Sequence, residues 1–351
     1  MQIGIMGMKF TGKTTLFNAI TGAGLPTGQG GVEPHRAVGQ VPDARLDFLT
    51  GMFKPKRTVH AAVEWVDIPG FQGGAGPDGS REGTRFLEHG RKVDALAQVI
   101  RCFGGGYGEP EPMAELESLA LEMALADLQV VENRLERMAK DKARMGKVAN
   151  PLEPPCFERL REQLENDRPL RDLEFNTDEL KLMSGFSFLT LKPLIVVLNH
   201  GEGDEPPADV AEAARKAGAE VVALCASVEE ELAQLDPGEA AEFLADLGIA
   251  EPALGRMIHA AYGALDLQSF FTVGPDECRA WTVRRGALAP EAAGAIHSDL
   301  QRGFIRAEVT AYDDLVAAGS MQAAKAANKV RLEGKAYEVR DGDIIEIRFS
   351  V

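Results

Sequence analysis

Cysteine, basic surplus and long apolar runs are all scarce in this sequence, and each shortage removes a class of protein. The four cysteines, Cys102, Cys156, Cys225 and Cys278, are scattered through 351 residues with no C-x-x-C pair. That spacing argues against a zinc site or a disulfide framework and favours a reducing compartment. Lysine and arginine number 38 against 54 aspartates and glutamates, a formal charge of −16. An acidic chain lacks the broad basic face that attracts nucleic acid regardless of sequence, so DNA is not an expected partner, although a local basic patch stays open. No apolar stretch approaches the length of a membrane span, and Met1 runs straight into an apolar segment with no basic-then-apolar leader. The expectation is a cytoplasmic protein without a membrane contact. At 45% hydrophobic residues, the chain can bury two domains, or one with a large insertion.

The strongest signal is the run Gly7-Met8-Lys9-Phe10-Thr11-Gly12-Lys13-Thr14. An apolar segment, Ile3 to Met6, precedes it as a buried strand, and Thr15 to Ile20 follows as the first turns of a helix. Strand, glycine-rich loop and helix together make a phosphate loop: its N–H groups converge on a polyphosphate and the helix N-terminus adds partial positive charge. Gly7, Phe10, Thr11, Gly12, Lys13, Thr14 and Thr15 are therefore the candidate phosphate contacts. Lys13 is expected to reach the β- and γ-phosphates and the Thr14 hydroxyl to ligate Mg²⁺. Residues 22–39 are rich in Gly and Pro without a period, which fits either a phosphate-sensing loop or an ordinary surface loop. Val59 to Val66 reads as a strand delivering Asp67-Ile68-Pro69-Gly70. Asp67 can hold a Mg²⁺-bound water there, and the Gly70 N–H can meet the γ-phosphate. Lys13, Thr14 and Gly70 are the candidate catalytic groups, and Thr14 with Asp67 the candidate metal ligands.

Leu96 to Phe103 reads as a further strand, after which the texture changes. Leu116, Leu119, Met123, Ala126 and Val130 alternate spacings of three and four, a coiled-coil seam, and Phe157, Leu160 and Leu164 repeat that spacing on a returning helix. Residues 112–184 read as a helical arm inserted into a nucleotide domain spanning 1–266. Its turn carries Lys140, Lys142, Arg144 and Lys147, either a solvated helix end or a contact for RNA or the ribosome. Leu194 to Leu198 and Val221 to Leu224 read as buried strands ending in Asn199-His200-Gly201-Glu202 and Cys225-Ala226-Ser227. In phosphate-loop GTPases these ends read the base, an N-K-x-D aspartate on guanine N1–H and N2–H₂, and an S-A-K backbone N–H on O6. Here Asn199, His200, Glu202 and Ala226 occupy those places, and Glu202 is one methylene longer than aspartate. A displaced carboxylate leaves a buried polar group unpaired at about 1–3 kcal/mol, which relaxes guanine preference or favours ATP. The tail, 267–351, reads as a β-grasp: strands at 270–273 and 279–283, a helix at 290–297, and strands at 305–309, 337–340 and 344–349. Arg284, Arg285, Arg302 and Arg306 are either a basic patch or scattered solvated side chains.

The order of these strings, with Val32-Glu33-Pro34, Val41-Pro42-Asp43-Ala44-Arg45-Leu46, Val99-Ile100-Arg101-Cys102-Phe103, Phe188-Leu189-Thr190-Leu191-Lys192-Pro193, Arg279-Ala280-Trp281-Thr282 and Gly303-Phe304-Ile305-Arg306-Ala307, resembles the Obg-like ATPase family, also called YchF. The resemblance spans almost the whole chain. It implies an α/β nucleotide domain with a mostly parallel sheet, a coiled-coil insertion, and a C-terminal TGS domain of ubiquitin-like β-grasp fold. It also implies ATP or GTP hydrolysis with Mg²⁺, and association with ribosomes through the arm tip and TGS domain. Three departures stand out. Phe10 replaces the asparagine of the family loop L-P-N-V-G-K-S-T. Gly31 replaces the threonine whose hydroxyl would complete a Mg²⁺ shell. Phe71 follows D-x-x-G where Ras-like enzymes carry a water-orienting glutamine, and the family too is apolar there; the adjacent Gln72 is a poor substitute because neighbouring loop side chains point apart. Two functions follow from the same residues: a slow nucleoside triphosphatase, or a nucleotide-gated ribosome adaptor with negligible hydrolysis. A small-molecule phosphotransferase would need a general base in an acceptor pocket, and no isolated candidate stands out. Nothing in the sequence demands a dimer.

Overall fold

The computed structural model describes residues 1–28, 33–71, 81–105, 108–146, 150–247, 249 and 252–350. Gly31, Val32, Gln72 and Lys147, singled out above, lie outside the described residues. The strands are β1 (Gln2–Met6), β2 (His35–Val41), β3 (Arg57–Val59), β4 (Ala61–Asp67), β5 (Ala95–Cys102), β6 (Leu194–His200), β7 (Glu220–Leu224), β8 (Leu267–Val273), β9 (Glu277–Arg284), β10 (Phe304–Thr310), β11 (Arg331–Glu333) and β12 (Ile344–Phe349). They form two sheets, ordered β2-β4-β1-β5-β6-β7 and β11-β10-β12-β8-β9-β3. The chain divides into two compact units, Met1–Val38 with Glu64–Ala261, and Gly39–Val63 with Tyr262–Val351.

In the first unit β4, β1, β5, β6 and β7 run parallel. Helices on both faces require such strands to be apolar throughout. Ile3, Ile5, Met6, Ala95–Ala97 and Ile195–Leu198 accordingly lie at or near zero exposure. The register sets Asp67 beside Ile5, Arg101 beside Asn199, and Asn199 beside Leu224. The carboxyl ends of the strands therefore meet along one edge, where doubly wound sheets bind their ligands.

The helix Pro112–Met145 does not keep a single seam. Leu116, Leu119 and Met123 are buried in the core under β5 and β6, whereas Val131 and Met138 pack with Phe157, Leu160 and Leu164 of the returning helix Glu153–Glu165. The apolar stripe read through Ala126 and Val130 changes partner at that point, and the fully buried Asp127 sits at the change. Asp127 accepts from the N–H groups of Leu189 (3.1 Å) and Thr190 (2.7 Å), from the Thr190 hydroxyl (2.8 Å), and from Arg91 Nη1 (2.9 Å). Arg91 belongs to the helix Arg81–Lys92, so one carboxylate ties that helix, the arm and the 187–190 turn together. At the described part of the arm turn, Lys140 pairs with Glu136 and Arg144 with Asp141.

The single strand expected at 59–66 is two. β3 pairs in parallel with β9 through Thr58 and Cys278, while β4 joins β1. A strand edge can ladder with one sheet at a time, and period-two apolar patterning does not say which sheet, so the exchange at His60 was invisible. Residues 39–63, assigned from sequence to the nucleotide domain, accordingly belong to the second unit. There β8 and β9 pair antiparallel, β12 runs parallel to β8, and Ala289, Ala292 and Ala293 of the helix Ala289–Ile296 are buried against the sheet. That is the β-grasp arrangement. Residues 337–340 are not the expected strand. Asp343 Oδ2 accepts from the Arg340 N–H (2.9 Å) and the Tyr337 hydroxyl (2.7 Å), folding the segment into a turn, and β11 takes the edge beside β10 instead. Arg285 and Arg302 pair with Asp266 and Asp299, which disperses the arginine patch. No helix among the described residues is long and apolar enough to cross a membrane.

Candidate functional site

The phosphate loop leaves β1 at Gly7 and enters the helix Lys13–Thr21 through Gly12. Both glycines are required. Gly7 has φ of 150° and a Cβ there would strike the Val99 carbonyl oxygen; Gly12 has φ of 87° and a Cβ would strike Asn199 Nδ2. Between them Phe10 adopts φ of 64°, a left-handed conformation that costs an L-residue about 1–2 kcal/mol, with its ring 43% exposed. The loop is thus held in a shape its sequence does not favour locally, the kind of strain found where backbone is shaped for a ligand.

Lys13 is buried, and its ammonium donates to the Met8 carbonyl across the loop. Burial pulls its pKa down to about 8, against the opposing pull of Asp67 and of Glu115, which comes from the first turn of the long helix. Thr14 Oγ1 donates to Asp67 Oδ2 at 2.8 Å, joining the loop to the tip of β4. Burial raises the Asp67 pKa, while the Thr14 hydroxyl, Lys13 and His35 oppose the rise. The D-x-x-G segment lies directly on the loop: Phe71 N–H donates to the Gly7 carbonyl at 3.1 Å and Lys9 N–H to the Phe71 carbonyl at 2.9 Å. A Cβ on Gly70 would sit 2.9 Å from Lys13 Nζ and 3.0 Å from Lys9 Cα, so glycine alone permits that approach. The Phe71 ring turns inward, is buried, and stacks on Phe86 at 5.3 Å. A side chain so placed orients no water, as its apolar character implied.

A cavity of about 320 Å³ opens over these groups, lined by Lys13, Thr14, Thr15, Asp67 and Gly70 on one side and by Thr27, Gly28, Glu33 and His35 on the other. Phe10 and Gly12 also line it, whereas Thr11 is fully buried with its hydroxyl on the Met8 carbonyl. Asn18 fixes the start of the glycine-rich loop by exchanging two hydrogen bonds with the Leu25 backbone, at 2.8 and 2.9 Å. His35 and Asn18 give no signal in the sequence, since a lone histidine beyond a glycine-rich loop and one asparagine on a helix carry no pattern.

The base-reading candidates are arranged differently. Asn199 Nδ2 donates to the Thr11 carbonyl and Asn199 Oδ1 accepts from the Ala226 N–H, both at 2.9 Å. Asn199 therefore braces the phosphate loop against the end of β7, and the Ala226 N–H is already used inside the protein. His200 Nδ1 meets the Gly201 carbonyl at 2.8 Å, and Glu202 is exposed. None of these four lines the cavity.

A protonic consequence follows from the buried lysine. A phosphate beside Lys13 favours its charged form, so the pKa of about 8 must rise on binding. Above that pH the free protein has lost the proton and the complex regains it, so binding takes up protons and weakens as pH rises. Titration calorimetry at pH 8.5 in buffers of different ionisation enthalpy is expected to show uptake approaching about one proton per nucleotide. Proton release would contradict it.

Residues 2–139 match the family model described as "50S ribosome-binding GTPase", and residues 267–350 match YchF-GTPase_C, described as "Protein of unknown function (DUF933)". Over 366 aligned residues the chain is 43% identical to the ribosome-binding ATPase YchF of Bacillus subtilis, with 100% of both chains covered. It is 35% identical to the Obg-like ATPase 1 of Oryza sativa subsp. japonica, covering 100% of this chain and 92% of that one. The solved structure of the Schizosaccharomyces pombe YchF GTPase superposes with a TM-score of 0.86 at 31% identity, covering 99% of this chain and 97% of that one.

Proposed function

This chain belongs to the YchF, or Obg-like ATPase, family, and on that premise we propose that it binds ATP or GTP in the phosphate-loop cavity, hydrolyses the γ-phosphate slowly, and associates with the ribosome. One observation carries the reading: Lys13, Gly70 and the Thr14–Asp67 pair converge on a single cavity. Thr14 and Asp67 are adjacent oxygen donors suited to a hard cation, and they would hold Mg²⁺, which needs few protein ligands when phosphate and water complete its shell. Mg²⁺, when bound, neutralises phosphate charge. Lys13 then binds the β- and γ-phosphates, the loop N–H groups orient the triphosphate, and the Gly70 N–H meets the γ-phosphoryl oxygens. Phosphate binding would use Gly7, Phe10, Thr11, Gly12 and Thr15 through the backbone. Asn199 and Ala226 would serve the nucleotide indirectly, by bracing the phosphate loop, and His200 and Glu202 are the proposed base contacts. Glu202 in place of aspartate supports tolerance of adenine.

The ribosome association rests on the similarity to ribosome-binding ATPases. The exposed cations of the arm turn and the β-grasp unit are its proposed contacts, the protein being a cytoplasmic monomer. Phe71, packed on Phe86, specifically favours a second reading, an adaptor with negligible hydrolysis. Phosphate release in single turnover, with and without ribosomes, separates the two. Release in either condition supports the enzyme, and none in both leaves the adaptor. In the same assay series ATP is expected to bind within about a hundredfold of GTP, and a larger gap in favour of GTP would refute the argument from Glu202.

A further inference from the structure

We propose that His35 is the γ-phosphate-sensing side chain of this site, the group by which the chain tells a nucleoside triphosphate from the diphosphate it becomes. The inference rests on the nucleotide reading above. His35 opens β2 just beyond Glu33-Pro34 and lines the same cavity as Lys13, Thr14, Asp67 and Gly70. It is exposed, and its imidazole has no hydrogen-bond or ion-pair partner among the described residues. It shares that lining with Asp67, whose carboxylate accepts from the Thr14 hydroxyl.

The other side chains near that end are worse suited. Phe71 is turned into the core. Glu33 lines the same wall but is anionic and would repel a γ-phosphate. Among the lining side chains outside the phosphate loop and its helix, Thr27 can donate a hydrogen bond and is the rival to test. An imidazole N–H aimed at an anionic oxygen makes a charge-assisted bond, and losing one weakens binding by about tenfold to a hundredfold.

The chemical step uses this contact without changing it. The water oxygen attacks Pγ, and the bond from Pγ to the β,γ-bridging oxygen breaks with its electron pair leaving on the diphosphate. One water proton stays on the inorganic phosphate and the other goes to solvent. His35 ends in the state in which it began. Its bond exists with the triphosphate, lasts through transfer and is lost when phosphate departs, so the start of β2 registers the nucleotide state.

The test compares affinities of the full-length chain, with Mg²⁺, for ADP and for the non-hydrolysable β,γ-imido analogue of ATP. His35→Ala is expected to weaken the analogue by about tenfold or more with ADP unchanged within about twofold. His35→Asn, which keeps an N–H donor, is expected to restore most of the loss, and Thr27→Ala to leave the ratio intact. Equal weakening of both ligands, no change in His35→Ala, or collapse of the ratio in Thr27→Ala would each overturn the inference while leaving nucleotide binding standing. Failure of the unmodified chain to bind either ligand would take down both readings.

Discussion

Replacing Lys13 by methionine is expected to slow phosphate release by about 10²–10³-fold, the usual loss when one preorganised electrostatic donor is removed from a reacting centre. The same substitution is expected to leave the nucleotide-free fold as stable or more so. Lys13 is 6% exposed and desolvation dominates its depressed pKa, so the free protein spends energy holding that ammonium away from water. Methionine has nearly the same reach and no such cost. Thermal unfolding without nucleotide therefore moves up or stays level, whereas the stabilisation that ADP gives to the parent disappears. A variant that both unfolded early and lost activity would show that Lys13 is structural. Arginine is no conservative alternative, because its planar fork is too large for a loop closed over the Met8 carbonyl.

The second large effect lies away from the phosphates. Asp127→Ala removes the acceptor shared by Leu189 N–H, Thr190 N–H, the Thr190 hydroxyl and Arg91, leaving two buried amides without a partner and a guanidinium held only by the Ser187 and Ala126 carbonyls, with no counter-charge. Removing one member of a buried charged pair costs about 3–5 kcal/mol. In a unit of this size that lowers the melting midpoint by roughly 10 °C. Hydrogen exchange at the Leu189 and Thr190 amides should accelerate before the sheet does, since local opening there no longer breaks a bond to the carboxylate. Protection unchanged at both amides would mean that Asp127 holds nothing. Arg91 also closes the helix that follows D-x-x-G, so the variant is expected to loosen the arm from the segment nearest the nucleotide.

The phosphate loop was legible because its requirements are local. Gly7 and Gly12 are needed for conformation, and Lys13 and Thr14, the proposed phosphate and metal contacts, follow directly, all within eight residues. Asp67 was legible for a related reason, as a carboxylate at the end of an apolar strand. The bracing role of Asn199 is not legible, because the Thr11 carbonyl it holds is 188 positions away and no pattern in the chain marks the pairing. The arm helix shows the same limit. Its stripe of Leu116, Leu119 and Met123 has helical spacing whether it faces another helix or a sheet, and here it faces the sheet. His35 carried no signal at all, since its significance comes from sharing a cavity with Lys13 and Asp67.

The exchange of sheets at His60 has a consequence for how the polypeptide is made. Within residues 39–63, β3 and the helix Ala44–Phe53 belong to a unit whose remaining strands begin only after residue 261, so they leave the exit tunnel long before the sheet they complete. With residues 64–261 to be added in between, at about 5–20 residues per second, the segment waits roughly 10–40 s. During that time β3 and the helix Ala44–Phe53 have no sheet to complete. The newborn chain must therefore keep a short, half-apolar stretch out of trouble in its own middle, and a truncation after residue 266 makes that delay permanent.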